Sequence, residues 1–463
     1  MPKESFDVVV LGAGTGGYSA ALRAAQLDKR VVLVERDDRL GGTCLLRGCI
    51  PTKALLQSAA VMDEINRSQD WGIKASGEPD WSGVQSFKQR VVDKLVNGLT
   101  GLVKARKIEV VKGSGRLTGP TNVEVQGDGG SRSLQAQHVV LATGSFPKLL
   151  PGLEITQRIV TSDQALELDR IPSSAVVIGA GAVGLEFASL YRSFGADVTL
   201  IEALDRIAPL EDEDISKELE RAFRKRGVTT HAGAKVQDVT EGGEGVTVTF
   251  EGRGKTQKVE AEICLVAVGR GPITEGLGVE AAGVELDRGF VKVNGQLRAS
   301  AESVWAVGDV AATPLQLAHV AFAEGISVAE RIAGQDAADI DYVGIPRVTY
   351  STPEVASVGL TEAQARERGH EVEVEKLNMQ GIGKANIVGE GGLCKLVAEK
   401  GGPVLGVHLV GPHVTDLIAE GMLITNWEAA PAEVAALIHP HPSLSEAIGE
   451  AHLALAGKPL HSM

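Results

Sequence analysis

The sequence predicts an α/β chain in which one strand–turn–helix–strand unit occurs twice, followed by a third domain of mixed α+β texture. Three observations predict it: a glycine-rich turn that recurs at a constant offset, an unusually high glycine content, and a change of pattern after about residue 340. Glycine accounts for 56 of 463 residues with no G-X-Y period. Such glycine belongs in tight turns and where backbone closely approaches a ligand. The hydrophobic share of 43% excludes a disordered chain. The length exceeds one core and suggests about three domains.

The first apolar run, Asp7–Leu11, ends in Gly12-Ala13-Gly14-Thr15-Gly16-Gly17, then a helical pattern, then Val31–Glu35. Ala175–Ile178 ends in Gly179-Ala180-Gly181-Ala182-Val183-Gly184, and Val198–Glu202 follows. Gly12, Gly14, Gly17 and Glu35 map onto Gly179, Gly181, Gly184 and Glu202 at one offset of 167, from 12 to 179 and from 35 to 202. Each copy is a strand, a glycine turn, a helix and a strand tipped by a carboxylate. This is a dinucleotide fingerprint. The first glycine makes the turn, the second admits pyrophosphate to the backbone, and the third lets helix pack on strand. The glutamate can accept ribose hydroxyls. Two copies predict two Rossmann-like dinucleotide-binding domains, and two dinucleotides allow electrons to pass from one to the other.

Between and after these units the pattern predicts further elements. Residues 80–110 read as an amphipathic helix on Val91, Val92, Leu95, Val96, Leu99, Leu102 and Val103. Residues 121–140 read as strands around the turn Gly127–Gly130, and Val139–Gly144 as a buried strand stopping where it can touch the first nucleotide. Asp212–Arg226 reads as a charged surface helix. Ile263–Gly269 and Val304–Asp309 are two more apolar runs ending at glycines. Beyond residue 340, strands (Arg347–Tyr350, Glu371–Leu377, Cys394–Ala398, Val404–Val410) mix with helices (Thr361–Arg368, Val414–Ile424, Pro431–Leu437), which predicts an α+β domain.

Charge and cysteine usage bound the function. Lys+Arg of 46 against Asp+Glu of 60 leaves −14, a poor balance for nucleic-acid binding. No apolar run has the length of a membrane span. Met1–Ser5 leads straight into the strand-like Phe6–Val10, so no signal or transit peptide is expected. Four cysteines are too few for a secreted disulfide scaffold, and a cytoplasmic location is expected.

Two of those cysteines form a motif, Gly41-Gly42-Thr43-Cys44-Leu45-Leu46-Arg47-Gly48-Cys49-Ile50-Pro51-Thr52-Lys53. Cysteines five apart can close a small disulfide loop. Pro51 suits a helix's first turn, which puts Cys49 at a helix N-terminus where a thiolate is favoured. Lys53 adds positive charge on the same face. Cys49 is therefore read as the stabilised thiolate and Cys44 as the attacked sulfur. The competing readings are two buried apolar cysteines, or half a zinc site with His439 and His441. The latter lacks a second cysteine pair and a metal-knuckle spacing, so no metal is expected. Cys264 and Cys394 sit in apolar strands and read as packing residues. In His439-Pro440-His441-Pro442-Ser443-Leu444-Ser445-Glu446 the prolines present His441 rigidly, suited to exchange protons with a thiol. Glu446 has two readings of equal weight: a partner that orients the imidazole, or the third residue of a Ser443 capping box.

On these residues the chain resembles the pyridine nucleotide–disulfide oxidoreductases of the glutathione reductase type, and among them the dihydrolipoamide dehydrogenases, the flavin-containing E3 component of 2-oxo acid dehydrogenase and glycine cleavage complexes. The likeness runs end to end: fingerprint, GGTC-x4-C-I-P-x-K, Ala142-Thr143-Gly144, second fingerprint, VGRxP, VGD, Ser351–Val355 as a strand, and HPHP-x-LSE. The resemblance implies FAD on the first fingerprint and NAD on the second. It implies FAD contacts at Gly12, Gly14, Gly17, Glu35, Gly42, Thr43, Lys53, Gly115, Thr143, Gly144, Asp309 and Ala318, with Asp309 on the flavin ribityl chain. It implies NAD contacts at Gly179, Gly181, Val183, Gly184, Glu186, Glu202, Val236 and Gly269. Lys53 is implied to lie near flavin N5, paired with Glu186. The implied division is an FAD domain (1–147), an NAD domain (148–271), a central second part of the FAD domain (272–340) and a C-terminal dimerisation domain (341–463). The implied partners are a second copy of the chain, whose His441 serves the cysteine pair, and the lipoyl domains and E2 core of such complexes.

Within the family, mercuric reductases and large thioredoxin reductases need a C-terminal thiol or redox tail, whereas this chain ends Leu460-His461-Ser462-Met463. Soluble transhydrogenases lack the cysteine pair. A glutathione-reductase-like enzyme keeps it but uses NADPH, whose 2′-phosphate Glu202 would repel; Arg206, four residues on, works the other way. A non-catalytic docking subunit is the reading from another class, opposed by intact Cys44, Cys49, Lys53 and His441. Leu46-Arg47, Thr52, Ser443 and Gly271 depart from the common family residues, and Arg47 is placed to tune the disulfide.

Overall fold

A computed structural model describes residues 4–461. The chain divides into two compact units: residues 4–54, 85–148 and 270–342 in the first, and 55–84, 149–269 and 343–461 in the second.

The first unit is built on parallel strands in the order Glu109–Lys112, Val31–Glu35, Glu4–Leu11, Gly130–Leu141, Val304–Ala306. Its central strands are apolar on both sides because both faces are covered. Val8, Val10 and Leu33 pack into one core cluster, while Val9, Leu11 and Val32 pack into another. The helix Thr15–Gln26 connects the first two strands, and the helix Ala318–Ile332 lies along it. Ser114–Gly119 and Asn122–Gly127 add an antiparallel meander to the strand Gly130–Leu141, with the turn where the sequence predicted it. Arg270–Pro272 pairs antiparallel with Ser145–Pro147.

The second unit repeats the plan. Its parallel strands run in the order Thr229–His231, Asp197–Ile201, Ser174–Ile178, Ile263–Val266, Ile159–Val160. A meander, Ala234–Gly242, Gly245–Gly252 and Lys255–Ala261, follows. Residues beyond 343 form a five-stranded antiparallel sheet in the order Arg347–Thr349, Glu354–Gly359, Val404–Gly411, Leu393–Glu399, Val372–Asn378. This sheet has its own core with the helices Val414–Asn426 and Glu446–Leu455.

Several expectations need correction. In the helix Trp81–Ala105 the buried stripe is Val92, Val96, Leu99 and Val103, while Leu95 and Leu102 are 43% and 56% exposed. The packed seam is narrower than the apolar composition suggested. Ser351–Pro353 is not strand; the strand starts at Glu354, after the cis Thr352–Pro353 bond. The helix read over 431–437 is one turn, Pro431–Val434. The helix Glu213–Lys225 is not simply a surface helix. Asp212 caps it, and Asp212, Asp214 and Glu362 surround the buried Lys395 ammonium at 2.8, 2.6 and 2.8 Å. A cation so buried is retained only because three carboxylates compensate its lost hydration.

Candidate active site

The two glycine turns are built alike. Gly12 and Gly179 have φ of +102° and +101°, and a Cβ on either would be driven into the carbonyl oxygen of Ala142 or Ala267. A Cβ on Gly17 or Gly184 would be driven into the carbonyl of Gly12 or Gly179. Each following helix, Thr15–Gln26 and Ala182–Ser193, starts from a glycine, Gly14 or Gly181, so no side chain caps its first N–H groups. Uncapped N–H groups with a positive dipole end favour an anion there. Glu35 and Glu202 are buried and do more than wait for a ribose. Glu35 accepts the Ala13 and Asp37 N–H groups at 2.7 and 2.9 Å, and Glu202 accepts those of Ala180 and Leu204 at 2.6 and 2.9 Å. Each carboxylate thus braces its own glycine turn.

The other residues singled out for the first nucleotide gather in the first unit. Gly42 begins the short helix Gly42–Arg47, which also holds Thr43; a Cβ on Gly14 would come 3.8 Å from Gly42 Cα. Gly115 lies on the strand Ser114–Gly119, where a Cβ would meet the Leu11 side chain at 2.7 Å. The Thr143 hydroxyl donates to the Ile273 carbonyl at 2.7 Å, just before Gly144. Asp309 sits in the one-turn helix Gly308–Val310, and Ala318 is the first residue of the helix Ala318–Ile332. Two residues to which the sequence assigned no role join them. The Ser145 hydroxyl donates to Asp309 Oδ2 at 2.5 Å and accepts from Arg270 Nε at 2.7 Å. Arg270 also donates to the Ser145 carbonyl at 2.8 Å and to Thr43 Oγ1 at 3.5 Å. The signal was present in the sequence, since Ser145 follows the ATG motif and Arg270 is the arginine of VGRxP, but spacing does not reveal which side chains meet.

The second set lies in the second unit. Val183 is in the exposed first turn of the helix Ala182–Ser193, and Glu186, buried on the same helix, accepts the Tyr350 N–H at 3.0 Å. Val236 is on the strand Ala234–Gly242. A Cβ on Gly181 or Gly269 meets nothing within 4 Å, so space is open there beside the backbone. Arg206 turns its Nη2 to the Pro209 and Glu211 carbonyls at 3.1 and 3.3 Å.

Cys49 is the first residue of the helix Cys49–Arg67, as its spacing from Pro51 predicted, and Cys44 lies in the preceding helix. Cys44 is held protonated, well above the usual thiol range. Its hydrogen bond to Cys49 is the main cause, followed by burial and by negative charge on Cys49 and Asp309; Lys53 opposes them. The proton shared by the pair therefore stays on Cys44, and Cys49 is the acceptor sulfur. Cys264 and Cys394 are fully buried, and burial pushes Cys264 up to about 12, so both are packing residues. Among the described residues no cluster of three metal-ligating side chains occurs, and no helix is long and apolar enough to cross a membrane. Arg47 pairs with Asp37.

The two histidines of the HPHP segment differ. His439 packs on Gly449 and pairs with Glu420 at 2.7 Å, which raises its pKa. His441 has a side chain 76% exposed, with Nδ1 2.8 Å from Glu446 Oε1. The other Glu446 oxygen accepts the Ser443 N–H at 2.8 Å. The two readings of Glu446 are thus both partly met, one by each oxygen. The capping box itself is not formed: the helix starts at Glu446, and its N-cap Ser445 makes no side-chain cap. Burial pushes the Glu446 carboxyl up, but the Ser443 N–H and the His441 ring bring it below its ordinary value. An ionised Glu446 accepts a hydrogen bond from Nδ1–H, which leaves Nε2 as the ring nitrogen able to act as a base.

Comparison with known proteins identifies the family. Residues 6–325 match the family described as pyridine nucleotide-disulphide oxidoreductase, and residues 345–452 match the dimerisation domain of that family. A dihydrolipoyl dehydrogenase of Bacillus subtilis is 44% identical over 471 residues, covering 98% of this chain and 99% of that one. A dihydrolipoyl dehydrogenase of Mycobacterium bovis is 40% identical, covering 98% of each. Among solved structures, LpdA from Mycobacterium tuberculosis superposes with a TM-score of 0.89 at 27% identity, covering 98% of this chain and 99% of that one. RclA, an HOCl-induced flavoprotein disulfide reductase of Escherichia coli, does so with a TM-score of 0.88 at 26% identity, covering 98% and 100%.

Proposed function

The chain belongs to the pyridine nucleotide-disulphide oxidoreductases, and on that basis we propose that it oxidises protein-bound dihydrolipoamide to lipoamide with NAD⁺ as acceptor, as the E3 component of a 2-oxo acid dehydrogenase or glycine cleavage complex. The observation that carries this reading is Cys49 at a helix start with the Cys44 thiol hydrogen-bonded to it, in a chain similar over its whole length to dihydrolipoyl dehydrogenases.

The residues present fit two dinucleotides. The first unit has an uncapped helix end, a glycine turn with no room for a Cβ, and Asp309 oriented by Ser145; these would hold FAD. The second has the same turn with open space at Gly181 and Gly269, which suits NAD. Glu202 and the turned-away Arg206 favour NAD over NADP. When bound, FAD supplies a two-electron relay between the dithiol and NAD⁺. We assign the segments as 1–147 for FAD, 148–271 for NAD, 272–340 for the central part and 341–463 for the interface. The family's dimerisation domain supports a homodimer, and the cysteine count supports a cytoplasmic place.

His441 Nε2 of the partner subunit accepts a proton from one dihydrolipoamide thiol. The resulting thiolate attacks Cys44 Sγ of the Cys44–Cys49 disulfide, forming a mixed disulfide and releasing Cys49 as thiolate. The second substrate thiol, as thiolate, attacks the substrate sulfur of that mixed disulfide. Lipoamide leaves, and Cys44, the leaving group, takes up the proton that the second thiol released. The helix N-terminus at Cys49 and the Lys53 charge hold the thiolate until two electrons pass on to NAD⁺, when Cys44 gives up its proton and the Cys44–Cys49 disulfide re-forms.

The test is dihydrolipoamide-dependent NADH formation, with glutathione disulfide plus NADPH as control. Turnover of the control pair alone would overturn the substrate assignment. His441→Gln should lose about 10²–10⁴-fold of this activity while flavin stays bound. Mixing inactive Cys44→Ser and His441→Gln chains tests the shared site, since each mixed dimer then owns one intact site. Confirmed subunit exchange without recovery would show that the histidine serves its own chain.

A further inference from the structure

Glu324 has no exposed surface, although it is a carboxyl on the helix Ala318–Ile332. Burying such a group is costly unless its oxygens are bonded. Here both are used. Oε2 accepts the Gly308 N–H at 2.6 Å, and Oε1 accepts the Tyr342 hydroxyl at 2.8 Å. The Thr313 hydroxyl bonds to the same carboxyl. Three donors from two stretches of chain, residues 308–313 and Tyr342, thus converge on one side chain that none of the sequence motifs contains.

Gly308 opens the single turn that carries Asp309. That turn is pinned on each side. Before it, Val307 packs against the fingerprint helix so closely that a Cβ on Gly16 would lie 2.9 Å from Val307 Cγ2. Beyond it, Ser145 holds Asp309 Oδ2 and leaves the other oxygen to a ligand. The Gly308 N–H is the remaining polar group of the turn's entry, and Glu324 is its acceptor. Without that acceptor the part-buried Gly308 N–H loses its partner, and the turn relaxes toward another.

We propose that Glu324 is a positioning residue of the flavin site: braced by Tyr342, its carboxyl holds the Gly308 N–H and so fixes the turn that aims Asp309 at the ribityl chain. The proposal rests on the reading that the first unit binds FAD. Burial raises Glu324 to about 7, so at pH 8 the carboxylate accepts through both oxygens.

The experiment titrates apoprotein with FAD at pH 8, using wild type, Glu324→Ala, Glu324→Gln and Tyr342→Phe. It reads the dissociation constant, the visible circular dichroism of the bound flavin, and the melting temperature of each apoprotein. Glu324→Ala should bind FAD at least about tenfold more weakly and with an altered flavin dichroism. Glu324→Gln keeps an acceptor for Gly308 and should stay within about threefold of wild type, and Tyr342→Phe should fall between. A Glu324→Ala protein that melts lower yet binds FAD with wild-type affinity and dichroism overturns the proposal. So does a Gln variant as weak as the Ala variant. If Glu324→Ala does not fold, Tyr342→Phe decides, and wild-type affinity there overturns it. A wild-type protein that binds no FAD sinks the functional reading itself, an outcome distinct from all of these.

Discussion

The two units follow one plan, yet the cysteine pair lies in the first alone. The strands Glu4–Leu11 and Ser174–Ile178 are each flanked by the same neighbours, end at glycines of nearly equal φ, and are followed by glutamates that brace the turn through the same kind of backbone bond. They differ in the stretch between the second and third strands. In the second unit residues 202–228 hold little more than the helix Glu213–Lys225. Between the strands Val31–Glu35 and Glu109–Lys112 of the first, residues 36–108 hold three α-helices, with Cys44, Cys49 and Lys53 at their start, although the stretch 55–84 belongs to the second unit. The lengthened connection leaves from the carboxyl end of a parallel strand, where ligands of such sheets lie. On the proposed function, nucleotide binding comes from a short repeated pattern, and chemistry from what is inserted at its mouth.

Breaking the inserted chemistry should have the largest effect. Cys44→Ser and Cys49→Ser should each cut dihydrolipoamide turnover by about 10³-fold or more, since the dithiol step has no substitute. Oxidation of NADH by an artificial electron acceptor should survive, because both nucleotide turns are untouched. Cys44→Ser alone should show a long-wavelength charge-transfer band with bound flavin that fades in acid; the band in Cys49→Ser instead would reverse the two roles.

The shared turn can be broken in either copy. Gly17→Ala and Gly184→Ala place a methyl against the same carbonyl in their respective turns. Each should weaken its own nucleotide by roughly 30–100-fold, an overpacking cost of about 2–3 kcal/mol. Separate FAD and NAD⁺ titrations would check this, and loss of both nucleotides in one variant would break the parallel between the units. The glutamates sharpen it next. kcat/KM with NAD⁺ should exceed that with NADP⁺ by about a hundredfold, because a 2′-phosphate would meet Glu202; equal efficiencies would contradict it.

Glu324 distinguishes the first unit at smaller scale. Burial pushes its carboxyl up from an ordinary 4.5 to about 7. A raised carboxyl pKa means that the folded state binds the extra proton, so the stabilisation is complete below pH 4.5 and is lost as pH rises through about 7. Between pH 5 and 7 this removes about 2 kcal/mol of stability. Urea denaturation across that range should show the slope in wild-type apoprotein and lose it in Glu324→Gln.

Local features were legible from residue order. Both glycine turns, the strands and helices beside them, and Cys49 at a helix start depend on neighbours within a few residues, and they formed as expected. Where the reading went astray, distant partners decided. Leu95 and Leu102 share a helix with the buried stripe but meet no packing surface. The acids of residues 212–214 looked like a solvated helix start until Lys395 arrived from a strand of another sheet.

By itself, then, the sequence determined the duplicated α/β plan, the two nucleotide turns and the paired cysteines, because each is written in short-range periodicity and backbone constraint. The tertiary structure alone decided that Ser145 and Arg270 orient Asp309, that Glu324 and Tyr342 hold Gly308, and that Glu446 divides its oxygens between His441 and Ser443. Such bonds join residues far apart in the chain or turn on which way one side chain faces. A hydrogen bond needs both groups within about 3 Å, and no spacing along the chain records that.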